Sequence, residues 1–221
     1  KANYREEFLA ASMTLDMGNT DKLAMYASEA GRSGIRILPP CINASEVGFL
    51  AAPKAIRYSL AALKNIGAQA VESIVAERAA NGDFRDLSDF SARCNTKALN
   101  KRALETLSAA GAFDAMDPNR ALVHGNVEQM LAFANRLAAD EAQGTSDLFG
   151  GGGSSRPAID VRPIKAWNPM ERLQHEFEAV GFFLSGHPLD AYASILPKLG
   201  VLTFAELEAR AADVERRQHA A

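Results

Sequence analysis

The segment from Ile56 to Val75 most constrains the fold, because it places a short glycine-containing turn between two apolar stretches. A strand-like start and a short apolar helix precede the turn Asn65-Ile66-Gly67, and an amphipathic helix is predicted over residues 69–80. In such a hairpin, the N–H groups of the turn and of the second helix's first turn lack partners inside the helix. These groups lie at the positive end of the helix dipole and favour phosphate. The pattern therefore indicates contact with a nucleic-acid backbone, which adds affinity without reading bases.

The charge of the chain supports this interpretation through its distribution. The whole chain has a net charge of −3, but residues 54–102 hold nine basic and five acidic side chains, a local excess of +4. This is the only positive block, and it contains the hairpin. A basic patch around a phosphate-binding motif is typical of nucleic-acid contact. Because the excess is modest, we expect weak binding that depends strongly on salt.

Composition narrows the class of protein. A chain of 221 residues forms one large domain or two small ones, and no apolar run approaches the length of a membrane span. The first residues are polar and unlike a signal peptide, and the missing initiator Met suggests a piece of a longer protein. Cys41 and Cys94 lack the spacing of a zinc site or a disulfide framework. We therefore expect reduced thiols, a cytoplasmic location and no membrane partner.

The periodicity of apolar residues predicts a mainly α fold with few short strands. Strands are expected near residues 35–38 and within 47–58. A second helix–turn–helix, without the hairpin glycine, is expected around the turn 95–100 and resembles a degenerate repeat of the first. Helices are predicted over residues 4–13, 21–30, 69–80, 87–93, 101–110, 119–142, 168–180 and, weakly, 205–217.

A Gly/Ser-rich stretch within residues 143–166 is typical of a flexible linker. It is interrupted by the apolar pair Leu148-Phe149. An exposed Leu-Phe pair in a polar loop favours docking into a partner's pocket. The alternative is a loop that folds back onto its own domain.

No catalytic or metal-binding cluster is evident. His187 precedes Pro188 with no other metal ligand nearby, which predicts a structural histidine. The other histidines, His124, His175 and His219, are each isolated in the sequence. Trp167 is expected to be a packing residue beside the helix over 168–180.

Several separate stretches resemble the C-family replicative DNA polymerases of bacteria, the polymerase III alpha subunits, in the order and spacing of that family. The resemblance covers about residues 1–195. The stretches are Asn19–Leu23 (NTDKL), Gly34–Asn43 (GIRILPPCIN), Ile56–Gly67 (IRYSLAALKNIG), Asn100–Glu105 (NKRALE), Ala109–Asp114 (AAGAFD) and Gly181–Asp190 (GFFLSGHPLD).

The resemblance implies four regions. Residues 1–50 correspond to the end of the helical fingers. Residues 51–142 correspond to a tandem helix-hairpin-helix and clamp-binding domain that includes a long helix over 119–142. Residues 143–166 correspond to a flexible loop with the motif that docks on the ring-shaped sliding clamp (beta subunit). Residues 167–221 correspond to a helical connector toward an OB-fold that lies beyond this chain.

The resemblance also implies site residues. At the hairpin we expect Lys64 to supply charge, Gly67 and Ala68 to supply N–H groups, and Ile66 to be buried. In the family the hairpin carries Gly-x-Gly, whereas this chain has Asn65, which accepts a left-handed φ better than other non-glycine residues. The expected DNA-binding residues are Lys64, Asn65, Ile66, Gly67 and Ala68, and Lys97, Lys101 and Arg102 at a second phosphate site, where a merely solvated face is the alternative.

The clamp motif implied by the resemblance occupies residues 145–149. The family's motif begins with Gln four residues before the Phe, and this chain has Thr145 in that place. The apolar pair of the motif is retained. The expected clamp-binding residues are Thr145, Ser146, Asp147, Leu148 and Phe149.

The implied function is duplex binding without sequence preference and tethering to the sliding clamp, with other polymerase III holoenzyme subunits as further partners. Nucleotidyl transfer needs palm carboxylates that hold two Mg²⁺ ions, and these lie upstream in the family. We therefore expect no cofactor and no catalysis in this piece. One alternative is an error-prone C-family polymerase. Another is a helix-hairpin-helix base-excision glycosylase that pairs Lys64 with Asp83 or Asp86.

Overall fold

The computed structural model describes residues 3–94, 99–142, 158–202, 204 and 206–211. The chain forms two compact units, residues 1–185 and 186–221. The first unit is mainly helical with a small sheet, as predicted. Its elements are α1 (Arg5–Leu15), α2 (Thr20–Arg32), β1 (Arg36–Leu38), β2 (Leu50–Ala52), β3 (Ala55–Arg57), α3 (Ala68–Asn81), α4 (Leu87–Arg93), α5 (Lys101–Ala110), α6 (Arg120–Gly125), α7 (Val127–Ala142) and α8 (Pro169–Val180).

Polar side chains begin several of these helices, because a side-chain oxygen can accept one of the free N–H groups of the first turn. Asn19 accepts the N–H of Lys22 at the start of α2, and Asp86 accepts that of Asp89 at the start of α4. Asn168 and Glu171 form a reciprocal capping box at α8. These helix starts agree with the sequence predictions.

The small sheet has the order β1-β3-β2. Strand β1 is parallel to the central strand β3, and β2 is antiparallel to it. Ile56 at the middle of β3 is fully buried. β3 ends only a few residues before the hairpin. The sheet therefore fixes the position from which the chain runs to the hairpin.

The core of the first unit contains a chain of aromatic rings. Phe90 packs edge-on against Phe84 and Phe113, with ring centroids 5.1 and 4.9 Å apart. The Asn43 side chain fixes the backbone of Phe84 in this cluster. Its amide nitrogen donates to the Phe84 carbonyl, and its amide oxygen accepts the N–H of Phe84. The motif that contains Asn43 therefore has a packing role.

The predicted short helix before the hairpin is wrong, because residues 59–64 form turns. The hydroxyl of Ser59 donates to the Val47 carbonyl and accepts the N–H of Ala62. A serine that bonds nearby backbone in this way competes with helix formation. The N–H of Leu63 then bonds the Leu60 carbonyl at 3.3 Å, which closes a four-residue β-turn.

The predicted long helix over 119–142 is also wrong, since it is divided at Asn126 into α6 and α7. The Asn126 amide donates to the carbonyls of Leu122 and Arg162 and accepts the N–H of Arg162. Residues 158–166 of the predicted flexible loop are thus bonded to the helices. Ser88 and Asn119 add further bonds, to Ile159 and Ile164 respectively.

Replacing Asn126 by alanine is expected to lower the free energy of unfolding by about 1–3 kcal/mol, because the N–H and carbonyl of Arg162 lose their partner. Urea denaturation followed by circular dichroism measures the change. Asn81→Ala is the matched control, since Asn81 is exposed and its amide bonds the Glu77 carboxylate rather than backbone groups. Equal destabilisation by the two variants would contradict this account of the helix break.

The second unit contains two short 3-10 helices, Pro188–Tyr192 and Leu196–Leu199, and helical residues at 206–211. His187 caps the first of them: its Nδ1 accepts the N–H of Leu189, and its own N–H bonds Asp190. His187 is therefore structural, as predicted. The helices within the described residues all lack the combination of length and apolar composition that a membrane-spanning helix needs.

Candidate nucleic-acid interface

The hairpin turns at Asn65, whose φ of +62° lies in the left-handed region. Asparagine occupies this region more readily than other non-glycine residues, so Asn65 can adopt the conformation that the turn requires. Its amide donates to the Thr106 hydroxyl at 3.5 Å. Ile66 is buried, with 8% exposure, and anchors the turn in the core as expected.

Gly67 is the N-cap of α3 and has no side chain to accept an N–H of the first turn. The N–H groups of Ala70 and Val71 bond its carbonyl. Those of Gly67, Ala68 and Gln69, all exposed residues, have no acceptor in the part of the chain that the structure describes. A Cβ added at Gly67 would meet nothing within 4 Å. These open donors lie at the positive end of a 14-residue helix, the position at which the sequence predicts an anion site.

Lys64 is exposed, but the contacts of its side chain are with α8. Its Nζ lies 6.0 Å from the ring centroid of Phe177, and a Cβ at Gly181 would lie 3.2 Å from its Cε. Its backbone N–H bonds the Ala179 carbonyl at 3.1 Å. An ammonium near the C-terminal end of α8 interacts favourably with that helix dipole. Lys64 therefore also holds the hairpin against α8.

The positive charge of the predicted second phosphate site is partly neutralised by acidic neighbours. Lys101 is bonded to Glu128, with 2.6 Å between Nζ and Oε1, and lies 3.9 Å from Glu105. Arg102 is exposed and makes no ion pair with any residue described. Of the other predicted site residues, Lys97 and the clamp residues Thr145, Ser146, Asp147, Leu148 and Phe149 lie outside the described residues.

A groove with a volume of about 240 Å³ adjoins the hairpin at Asn65. We call it the His175 groove. It lies between α5, α6 and α8, and its walls combine polar, acidic and imidazole side chains. The lining residues are Asn65, Arg102, Glu105, Thr106, Ala109, His124, His175, Glu178 and Ala179.

Two of the lining residues, His124 and His175, belong to a cluster of three rings. Trp167 stacks on His175 with centroids 3.9 Å apart and planes 18° apart, and His124 packs edge-on against Trp167 at 5.4 Å. Burial lowers the pKa of His124, which favours its neutral form. His124 and His175, which are isolated in the sequence, thus lie together in the structure. No group of three His, Cys, Asp or Glu residues among those described could hold a metal ion.

A buried charge network behind the groove was not predicted. The Arg120 guanidinium, 3% exposed, bonds Asp114 at 2.7 Å and the fully buried Glu176 at 3.1 Å. Burial alone would lower the pKa of Arg120, but the hydrogen bonds and charges of Asp114 and Glu176 raise it. Glu176 also accepts the N–H groups of Leu184 and Ser185. The network thus joins α6, α8 and the segment that follows α8.

Gly111 makes room for this network at the end of α5. Its φ is +87°, and a Cβ there would lie 2.2 Å from Nη2 of Arg120. Both the backbone conformation and the close guanidinium therefore require glycine. The sequence indicated a glycine that ends α5, but nothing in it indicated the partner.

Comparisons with known proteins agree with this geometry. The family described as "Helix-hairpin-helix motif" matches residues 34–123. The "DNA polymerase III subunit alpha" of Caulobacter vibrioides is 40% identical over 212 residues, which is 96% of this chain and 18% of that protein. The proteins of the same name from Neisseria meningitidis serogroup B and Escherichia coli are 42% and 38% identical over 197 and 195 residues. Each match covers 87% of this chain and 17% of the relative.

The chain therefore spans less than a fifth of the length of the curated relatives it matches. Within that span the identity runs through nearly all of the chain, and the matched motif contains the hairpin, its open N–H groups and the left-handed Asn65. The chain belongs to the family of bacterial DNA polymerase III alpha subunits and corresponds to one segment of them, which carries a helix-hairpin-helix motif.

Proposed function

We propose that this chain is the duplex-binding and clamp-tethering segment of a replicative DNA polymerase III alpha subunit that acts in chromosomal DNA replication. The observation that carries the proposal is the hairpin at Asn65, with exposed N–H groups at Gly67, Ala68 and Gln69. These N–H groups lie at the N-terminus of α3 and bind one phosphodiester oxygen of the DNA backbone. They contact no base, so binding is indifferent to sequence.

The clamp contact is proposed from the sequence motif at residues 145–149. The described residues on either side of this motif support the clamp contact in one respect. Ala158, which follows the motif, lines the same groove as Leu137 of α7, which precedes it. The chain leaves α7 at Ala142, and from residue 159 onward it is bonded to Ser88 of α4 and to Asn119 and Asn126 at the two ends of α6. A tether anchored at both ends keeps the polymerase near its template by raising the effective concentration.

The catalytic step belongs to other parts of the longer polymerase in this proposal. Nucleotidyl transfer uses Mg²⁺ ions held by palm carboxylates, and this chain positions DNA for it. Its further partners are other subunits of the polymerase III holoenzyme, in the cytoplasm. The glycosylase alternative gains no support, because Asp86 caps α4 and the Lys64 side chain packs against α8.

The hairpin proposal is tested by replacing Gly67 with valine. Hydrogen bonds to charged groups contribute about 1.5–3 kcal/mol, so the affinity for duplex DNA is expected to fall by about tenfold or more. The valine side chain enters open space, so the fold is retained while the phosphate is kept away. Fluorescence anisotropy of labelled duplexes of unrelated sequence, at about 50 to 200 mM salt, measures the loss and the salt dependence.

Gly18→Val is the matched control, since a Cβ at Gly18 also meets nothing within 4 Å. This variant is expected to bind like the unchanged chain. Unchanged affinity of Gly67→Val, a preference for one duplex sequence, or binding that ignores salt would each contradict the hairpin proposal.

A further inference from the structure

The stack of Trp167 on His175 opens onto the groove beside the hairpin. Trp167 covers one face of the His175 ring, and the His175 side chain is still 33% exposed. His124 contacts both rings from α6, with centroids 5.4 and 5.5 Å away. A ring that is held by two aromatic neighbours and open to solvent on its remaining side is pre-positioned for a further planar ring.

The charges of the groove disfavour a second phosphate there. Glu105 and Glu178 both line it, whereas Arg102 is the one arginine or lysine among its lining residues. The nearby Lys101 is bonded to Glu128. The carboxylates outnumber the guanidinium, so an uncharged ligand fits better than an anion.

The polar groups of the groove suit the edge of a nucleobase. The Asn65 amide, the Thr106 hydroxyl and the two carboxylates supply donors and acceptors around the His175 ring. Carboxylates accept hydrogen bonds from exocyclic amino groups, which cytosine, adenine and guanine carry and thymine lacks. Bases of single strands stack on aromatic side chains, including histidine.

We propose that the His175 groove binds an unpaired nucleobase of single-stranded DNA, stacked on His175, with a preference for bases that carry an amino group. This inference rests on the proposed function, since it takes DNA as the ligand. Asn65 belongs both to the hairpin and to the groove. A base in the groove therefore lies beside the phosphate at α3, at a junction between duplex and single strand.

Trp167 reports on this site directly, because it is the single tryptophan of the chain and stacks on His175. Titration with oligodeoxycytidine is expected to change its fluorescence saturably, and oligothymidine is expected to bind more weakly. Stacking on one side chain contributes about 1–3 kcal/mol per base, so His175→Ala should weaken oligodeoxycytidine binding by about tenfold. His175→Phe, which restores a ring, should recover most of the affinity.

Blunt duplex DNA separates this inference from the hairpin proposal. Its affinity should fall by about tenfold or more in Gly67→Val and be unchanged in His175→Ala. The inference is overturned if oligodeoxycytidine leaves the Trp167 signal unchanged, if it binds no better than oligothymidine, or if His175→Ala weakens single-strand and duplex binding equally. The comparison of the two oligonucleotides on the unchanged chain needs no variant, so it decides the matter even where His175→Ala does not fold.

Discussion

Replacing Arg120 by alanine is expected to lower the free energy of unfolding by about 3–5 kcal/mol, because removing one partner of a buried ion pair leaves the other uncompensated. Glu176 is fully buried, and its bond to Nη1 of Arg120 is its one ion pair among the residues described. The change also removes a donor from the Ala109 carbonyl at the end of α5. Urea denaturation monitored by circular dichroism measures the loss.

Arg172→Ala provides a control with the same chemical change at the same acidic partner. Arg172 lies 3.7 Å from Asp114, but its side chain is 46% exposed. Exposed ion pairs contribute about 0–1 kcal/mol, so this variant should unfold near the midpoint of the unchanged chain. A loss of stability for Arg120→Ala no greater than that for Arg172→Ala would show that the buried network does not hold the helices together.

The double change Leu148→Ala/Phe149→Ala is expected to abolish binding of the chain to its cognate sliding clamp. Burying a Leu or Phe side chain contributes about 1.5–3 kcal/mol each, and a short peptide contact has little other apolar surface. Surface plasmon resonance on the immobilised clamp measures the affinity. Ser154→Ala/Ser155→Ala is the control in the same Gly/Ser-rich stretch and should retain binding, because both residues lie outside the motif.

Either result is informative about the tether. Loss of binding in the double variant would support the motif and show that Thr145 can stand where the family has Gln. Equal binding by the double variant, or no binding by the unchanged chain, would contradict clamp contact through residues 145–149. Duplex binding by the hairpin would then be the main function proposed for this segment in DNA replication.

Features set by neighbouring residues were predicted well from the sequence. The helices predicted over residues 21–30, 87–93 and 168–180 begin beside the caps Asn19, Asp86 and Asn168, each of which accepts an N–H two or three residues away. The left-handed turn at Asn65 likewise follows from local steric preference. These interactions lie within one turn of chain, so residue type and spacing are enough to predict them.

Features set by distant residues were not predicted. Arg120 and Glu176 are 56 positions apart, and Asn126 meets Arg162 across 36. In the sequence, Arg120 lies where the helix pattern predicts an exposed arginine. Asn126 lies where the pattern predicts the middle of a continuous helix. The Trp167–His175–His124 cluster forms only when α8 packs beside α6. Polar pairs of this kind cannot be predicted from the periodicity of apolar residues. Each partner is compatible with the pattern of its own helix, whether or not the other residue is present.

The close contact of Gly111 with Arg120 has a consequence for how this family varies. Any side chain at position 111 would occupy the space of the guanidinium. A substitution at either position alone is then costly, by a clash in one case and by an unpaired buried carboxylate in the other. Relatives without glycine at the equivalent of 111 are therefore expected to lack arginine at the equivalent of 120. The reverse does not follow, because the φ of +87° favours glycine at 111 even where the arginine is absent.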